Sequence, residues 1–172
     1  MNVFPQRLTA GYRAFLDGRF KEERGRYATL AESGQSPSIM VIGCVDSRVS
    51  PEVIFDAAPG EILVARNVAN LVPPFEEGGG QHGTSAALEF GVRALKVRHI
   101  VVLGHAFCGG IKAFASDAAP LSSSDYIGHW MSQIGPAAGA IGPKAHYPKN
   151  GAGEEEYLRK LEFASVELSL RN

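Results

Sequence analysis

Five side chains in two short, well-separated segments could together bind a metal ion and act on a substrate. The first segment contains Cys44, Asp46 and Arg48, and the second contains His105 and Cys108. Two thiolates and one imidazole are donors that zinc prefers, at about 2.3 Å for sulfur and about 2.0–2.1 Å for nitrogen. Three protein ligands leave a fourth position free, which is typical of a catalytic zinc rather than a structural one.

The same residues also have simpler interpretations. Both cysteines could be small buried apolar residues, or they could form a Cys44–Cys108 disulfide, and His105 could be a hydrogen-bonded core histidine. Asp46 and Arg48 could be a structural ion pair. The grouping of an acid and a base beside one cysteine, with a His-x-x-Cys pair elsewhere, favours the metal site over these alternatives.

Each reactive segment directly follows an apolar run that predicts a β-strand. Residues 39–42 read Ile-Met-Val-Ile and residues 100–103 read Ile-Val-Val-Leu. Short β-branched runs of this kind are typical of buried parallel strands. If the two strands are neighbours, both segments lie at their carboxyl ends, where open α/β sheets place their active sites.

The remaining pattern predicts helices around these strands. Helical periodicity covers residues 6–32, where Gly18 and Gly25 should break it into separate helices. The other predicted elements are strands at 38–43, 61–66 and 99–104, and helices at 51–56, 84–95, 109–116, around 126–131 and 154–170.

Composition places the chain among ordinary globular proteins. Its 172 residues predict one domain, with N-terminal helices at about 6–32, a metal-site core at about 38–116 and C-terminal helices at about 117–172. A net charge of −1 gives no electrostatic reason to expect binding to nucleic acid or to an anionic membrane. Two cysteines, no signal-peptide core and no apolar run near the roughly 20 residues of a membrane span suggest a cytoplasmic protein.

The two reactive segments resemble those of the β-class carbonic anhydrases. The sequence Cys-x-Asp-Ser-Arg at 44–48 is followed by Gly-His-x-x-Cys-Gly-Gly at 104–110, and the likeness is strongest to the plant-type branch. It covers most of residues 8–172. Further similar segments lie at 34–37, 59–61, 66–73, 83–90 and 109–112.

The resemblance implies one zinc ion per subunit, bound by the two cysteines and the histidine, and reversible hydration of carbon dioxide to bicarbonate and a proton. Asp46 would accept a hydrogen bond from the hydroxide that attacks carbon dioxide, and Arg48 would hold Asp46 by an ion pair. In a closed state of the family Asp46 becomes the fourth zinc ligand. A family branch that favours this state has Trp where this chain has Val41, so we expect an open site with Asp46 on Arg48.

The resemblance also implies a small, largely apolar substrate pocket that is completed by a second subunit, with Phe90 supplied by the partner. We therefore expect a homodimer or a larger even-numbered homo-oligomer. His82, on a predicted loop at 73–82, is a candidate for carrying the proton away. The implied substrate-binding residues are Gln35, Leu63, Val68, Phe90 and Gly109.

The implied fold is a three-layer α/β structure in which helices flank a mostly parallel sheet of strand order 2-1-3. The family's fourth and fifth strands have no counterpart in this sequence, which predicts either a truncated sequence or a third strand whose free edge is covered by another subunit. Two other functions stay open, namely hydrolysis of carbon disulfide or carbonyl sulfide on the same scaffold, and non-catalytic zinc binding in an assembly protein.

Overall fold

The computed structural model describes residues 4–77, 82–116, 119–148 and 151–172, and the chain divides into two compact units, Met1–Ser36 and Pro37–Asn172. The first unit contains helix α1 (Gln6–Asp17) and helix α2 (Arg19–Ser33). Gly18 separates them, as predicted, with φ −110° and ψ −102°. Gly25 does not break α2, so that part of the prediction was wrong.

The second unit is built on a three-stranded parallel sheet. Strands β1 (Ile39–Cys44), β2 (Ile62–Asn67) and β3 (His99–Leu103) lie in the order β2-β1-β3, which confirms the predicted topology. β1 is central, and its residues from Met40 to Cys44 are buried, because it has a neighbour on each side.

The register of the sheet sets the position of the reactive segments. Gly43 of β1 is aligned with Arg66 of β2 and with Leu103 of β3. β1 ends at Cys44, next to the end of β3 at Leu103. His105 follows Leu103 by two residues, so it lies near Cys44. The side-by-side strand ends that the sequence predicted are present in the structure.

Helices flank this sheet, and most lie where the periodicity predicted them. The predicted helix at 84–95 differs, since its second half is a π-helical turn at Phe90–Ala94. Gly91 lies in that turn, and a Cβ there would lie 2.9 Å from Met40 Sδ, so the turn packs directly on the sheet. The helices of the second unit are α3 (Pro51–Ile54), α4 (Gly83–Glu89), α5 (Gly109–Phe114), α6 (Tyr126–Met131), α7 (Gly135–Ile141) and α8 (Gly151–Arg171).

The larger of two core clusters surrounds the two cysteines. Cys44 and Cys108 pack there with Ile111 of α5 and with Tyr157 and Leu161 of α8. The long C-terminal helix thus covers the region in which the reactive segments meet. Among the described residues, none of the helices is both long enough and apolar enough to span a membrane.

Replacing Leu161 with alanine should destabilise the protein by about 2–5 kcal/mol. Its side chain is completely buried, and truncation leaves a cavity between α8 and the core. Urea unfolding followed by circular dichroism measures the change. Leu170→Ala on the same helix is the control, because Leu170 is 63% exposed. We expect it to change the free energy of unfolding by less than about 0.5 kcal/mol, and equal effects would contradict the packing described here.

The outer edge of β3 carries exposed apolar residues. Among the strands that the structure describes, β3 pairs only with β1, and its residues Ile100 and Val101 are 43% and 36% exposed. A strand edge of this kind is a template for pairing with another chain unless something covers it. The structure thus contains the free edge that the sequence predicted.

Candidate metal centre

The side chains of Cys44, His105 and Cys108 converge at the carboxyl ends of β1 and β3. One ligand atom from each, Sγ or a ring nitrogen, lies within 4.8 Å of the other two. Both thiols are free, which excludes the disulfide alternative for this structure, and each cysteine is only 3% exposed. Three soft donors at this spacing surround a volume suited to a single divalent ion.

The hydrogen bonding of His105 leaves one ring nitrogen available for a metal. Its Nδ1 lies 3.0 Å from the carbonyl oxygen of Ala106. A carbonyl can only accept, so Nδ1 carries the proton and Nε2 presents a lone pair. Nε2 is buried and has no partner among the described residues. A buried acceptor without a partner is costly, and a metal ion would satisfy it. The residues present therefore fit a zinc ion.

The two buried cysteines shift each other's pKa in opposite directions. The pKa of Cys44 is lowered to about 4, mainly because Cys108 donates its S–H to the Cys44 sulfur, with further contributions from the backbone N–H groups of Asp46 and Ala69. The pKa of Cys108 is raised by the same hydrogen bond and by burial. A thiolate therefore forms readily at Cys44, and the thiolate is the form of cysteine that binds a metal ion.

Asp46 and Arg48 form a two-pronged ion pair beside the ligands. Arg48 Nε donates to Asp46 Oδ1 over 2.9 Å, and Arg48 Nη2 donates to Oδ2 over 2.8 Å. The Arg48 guanidinium also donates to the carbonyl oxygen of Phe107 over 3.0 Å. These bonds hold the pKa of Asp46 well below its usual range, so the carboxylate is a pure acceptor at neutral pH.

Arg66 ties the loop after β1 to the neighbouring strand. Its Nε donates to the carbonyl oxygen of Cys44 over 2.8 Å, and its Nη2 donates to that of Asp46 over 2.7 Å. This role of Arg66 was not predicted from the sequence. The cue that could have indicated it is an arginine at the carboxyl end of the strand that pairs with β1.

The next residue of β2, Asn67, fixes the turn that follows that strand. Its Oδ1 accepts from the Leu71 N–H and its Nδ2 donates to the Leu71 carbonyl, both over 2.8 Å. Within the turn, Ala69 and Asn70 have φ values of 63° and 48°, which are uncommon for residues other than glycine. The Asn67 side chain therefore supports a backbone conformation that brings the Ala69 N–H towards the Cys44 sulfur.

The residues implied as a substrate pocket lie in different surroundings. Val68 packs against the cluster that contains the two cysteines, whereas Leu63 packs in the second cluster, with Met40. Gly109 is exposed at the start of α5, and Phe90 is 50% exposed. Their substrate roles stay predictions.

The other predicted residues are exposed. Gln35 belongs to the first unit, and its predicted role stays untested. His82 is exposed before α4, and residues 78–81 of its predicted loop lie outside the described residues. His129 and His146 are both exposed.

Comparison with known proteins agrees with the geometry. A family model described as carbonic anhydrase matches residues 39–172. The chain is 41% identical to "Beta carbonic anhydrase 5, chloroplastic" of Arabidopsis thaliana, and the match covers 69% of this chain and 38% of that protein. The chain therefore spans less than half the length of this curated relative.

Solved structures show the same fold. The β-carbonic anhydrase CcaA superimposes with a TM-score of 0.85 at 28% identity, over 97% of this chain and 72% of that one. A structure of two tetrameric β-carbonic anhydrases from Sordaria macrospora gives a TM-score of 0.78 at 26% identity, over 97% and 81%. Sequence match, fold and converging side chains agree, and the chain belongs to the β-carbonic anhydrase family.

Proposed function

We propose that this chain is a zinc-dependent enzyme that hydrates carbon dioxide reversibly to bicarbonate and a proton. The observation that carries the proposal is the convergence of Cys44, His105 and Cys108 next to the Asp46–Arg48 pair. A purely structural metal site has no need for an oriented carboxylate beside it. Membership of the carbonic anhydrase family supports the same reaction.

Zinc is the ion that best matches this donor set. Two sulfurs and one imidazole nitrogen are soft to borderline donors, and three of them leave one coordination position for solvent or substrate. When bound, zinc supplies a Lewis acid that makes hydroxide available from water near neutral pH. Carbonic anhydrase with three histidines is the standard case of that chemistry. Cys44, His105 and Cys108 are the proposed ligands.

Asp46 is proposed to orient the attacking hydroxide. The guanidinium and the backbone N–H of Arg48 both donate to the Asp46 carboxylate. Asp46 can therefore accept a further hydrogen bond from the hydroxide without changing its rotamer. Its lowered pKa keeps the carboxylate ionised, so it does not compete as a proton donor. Held in this way, Asp46 would direct the hydroxide lone pair at the carbon of the substrate.

Phe90 supports an assembly of two or more chains. It is half exposed in the isolated chain, although it is a large aromatic side chain. We propose that it lies against a second subunit and lines that subunit's substrate pocket together with Leu63 and Val68, in a homodimer or a larger even-numbered oligomer. The Sordaria relatives are described as tetrameric.

A stopped-flow assay of carbon dioxide hydration on zinc-loaded protein tests the function. We expect hydration well above the uncatalysed rate with about one zinc per chain, and loss of activity after zinc is removed by a chelator. Parallel assays with carbonyl sulfide and carbon disulfide test the hydrolase alternative. Zinc-loaded protein that turns over none of the three substrates would instead support non-catalytic zinc binding and would refute the proposal.

A further inference from the structure

The carboxylate of Glu162, on α8, contacts the loop that carries two of the proposed zinc ligands. The Cys108 N–H donates to Glu162 Oε1 over 2.9 Å, although the two residues are far apart in the sequence. Glu162 is half-buried. In the part of the chain that the structure describes, none of the ion pairs within 4.0 Å includes it. Its carboxylate is therefore committed to the backbone of a metal ligand.

The start of α5 explains why Cys108 needs this partner. Cys108 is the N-cap of α5, and the first N–H groups of a helix have no acceptor within the helix. In many helices a glutamate or glutamine at the third helical position accepts the N-cap N–H. Here that position is Ile111, which is apolar. Cys108 is also buried, so Glu162 supplies an acceptor that the local sequence lacks.

The loop from His105 to Cys108 is held from two sides. On one side Arg48 donates to the carbonyl oxygen of Phe107, and on the other Glu162 accepts from the N–H of Cys108. The two anchors hold opposite sides of one peptide group, the one that joins Phe107 to Cys108. Phe107, directly before that group, has a φ of 55°, a conformation that a bulky residue keeps only when its surroundings impose it. Releasing one anchor should let the turn relax and separate the ligand atoms.

We propose that Glu162 is a positioning residue for the metal centre. It acts through the Cys108 backbone and keeps Cys108 Sγ and His105 Nε2 directed at one ion. The inference rests on the proposed function, since it takes zinc to be the ion bound. In this role Glu162 has to accept a hydrogen bond, and its negative charge is not needed. A neutral side chain that still accepts the bond therefore distinguishes positioning of Cys108 from electrostatic attraction of the metal ion.

Zinc affinity, measured by competition with a chromophoric chelator, tests this role. We expect Glu162→Ala to weaken zinc binding by about 10–100-fold, the usual effect of removing a residue that orients a metal ligand. Glu162→Gln should bind zinc nearly as tightly as the wild type, because its amide oxygen still accepts the N–H. Glu155→Ala is the control, since Glu155 is an exposed glutamate on the same helix.

Cobalt(II) substitution gives a second measurement that does not depend on activity. The thiolate-to-cobalt absorption should change in Glu162→Ala and stay as in the wild type in Glu162→Gln. If the alanine variant does not fold, Glu162→Met replaces it, because methionine keeps the side-chain length and removes the acceptor. Circular dichroism of each variant verifies the fold.

Three results would overturn the inference. The first is that Glu162→Ala binds zinc as tightly as Glu155→Ala. The second is that Glu162→Gln binds zinc as weakly as Glu162→Ala, which would indicate that the charge of Glu162 matters. Wild-type protein that binds no zinc would refute both this inference and the proposed function. Tight zinc binding that depends on Glu162 as described, with no hydration activity, would refute the proposed function alone.

Discussion

Replacing Cys44 with serine is expected to abolish zinc binding and, with it, any hydration of carbon dioxide. Serine keeps the size of the side chain but presents a neutral hydroxyl in place of a thiolate that forms readily. Only His105 and Cys108 then remain of the three clustered donors, which is too few to hold zinc tightly. Metal analysis should fall from about one zinc per chain to near zero.

Val45→Ala is the matched control for this variant. Val45 is the first residue after Cys44 and β1, and its side chain is exposed, so its truncation should leave zinc content and hydration unchanged. Circular dichroism should show the same secondary structure in both variants. Full zinc occupancy in folded Cys44→Ser would refute the proposed ligand set.

Replacing Asp46 with asparagine should spare zinc binding but lower kcat by about 10²-fold, the scale expected when a reacting group loses its orientation. Asparagine presents an N–H₂ group to the Arg48 guanidinium, so one of the two parallel hydrogen bonds becomes a repulsive donor–donor contact. The side chain turns away from its present rotamer, and the hydroxide loses its acceptor. Stopped-flow hydration and zinc content, measured on the same sample, separate turnover from metal binding.

Asp56→Asn controls for the loss of one negative charge. Asp56 is exposed and has a φ of 47°, a left-handed conformation that asparagine tolerates well. We expect unchanged kcat and zinc content. An Asp46→Asn enzyme as active as Asp56→Asn would show that Asp46 and Arg48 form only a structural ion pair.

The sequence was sufficient to predict the sheet and the convergence of Cys44, His105 and Cys108, because both have local signals. Apolar runs of four residues predict β1 and β3, and parallel strands place their carboxyl ends together. Once Cys44 ends one strand and His105 follows the other, their proximity is a consequence of topology. The helical break at Gly18 was also predictable from glycine alone.

Other features depend on contacts that no local pattern encodes. Gly25 has the same intrinsic preference as Gly18, yet α2 runs through it. The π-helical turn at Phe90–Ala94 depends on the close approach of Gly91 to Met40, which only packing determines.

The supporting residues of the site are the hardest to predict. Arg66 and Glu162 each contact the backbone of a ligand-bearing loop from a different element. A charged residue in a strand or helix looks like a solvent-facing position unless the three-dimensional neighbours are known. Sequence patterns therefore reveal the donors of a metal site more readily than the residues that orient them.

The pairing of β1 with β2 and β3 has a consequence for how the ion enters the protein. The pairing of β1 with β3 places Cys44 beside the loop that carries His105 and Cys108. Zinc fingers differ, since they fold only as they capture their metal. Here the fold itself places the three donor side chains close together, so a metal ion should bind and exchange without unfolding of the protein. The metal that such a site takes up would then follow supply and donor preference rather than the timing of folding.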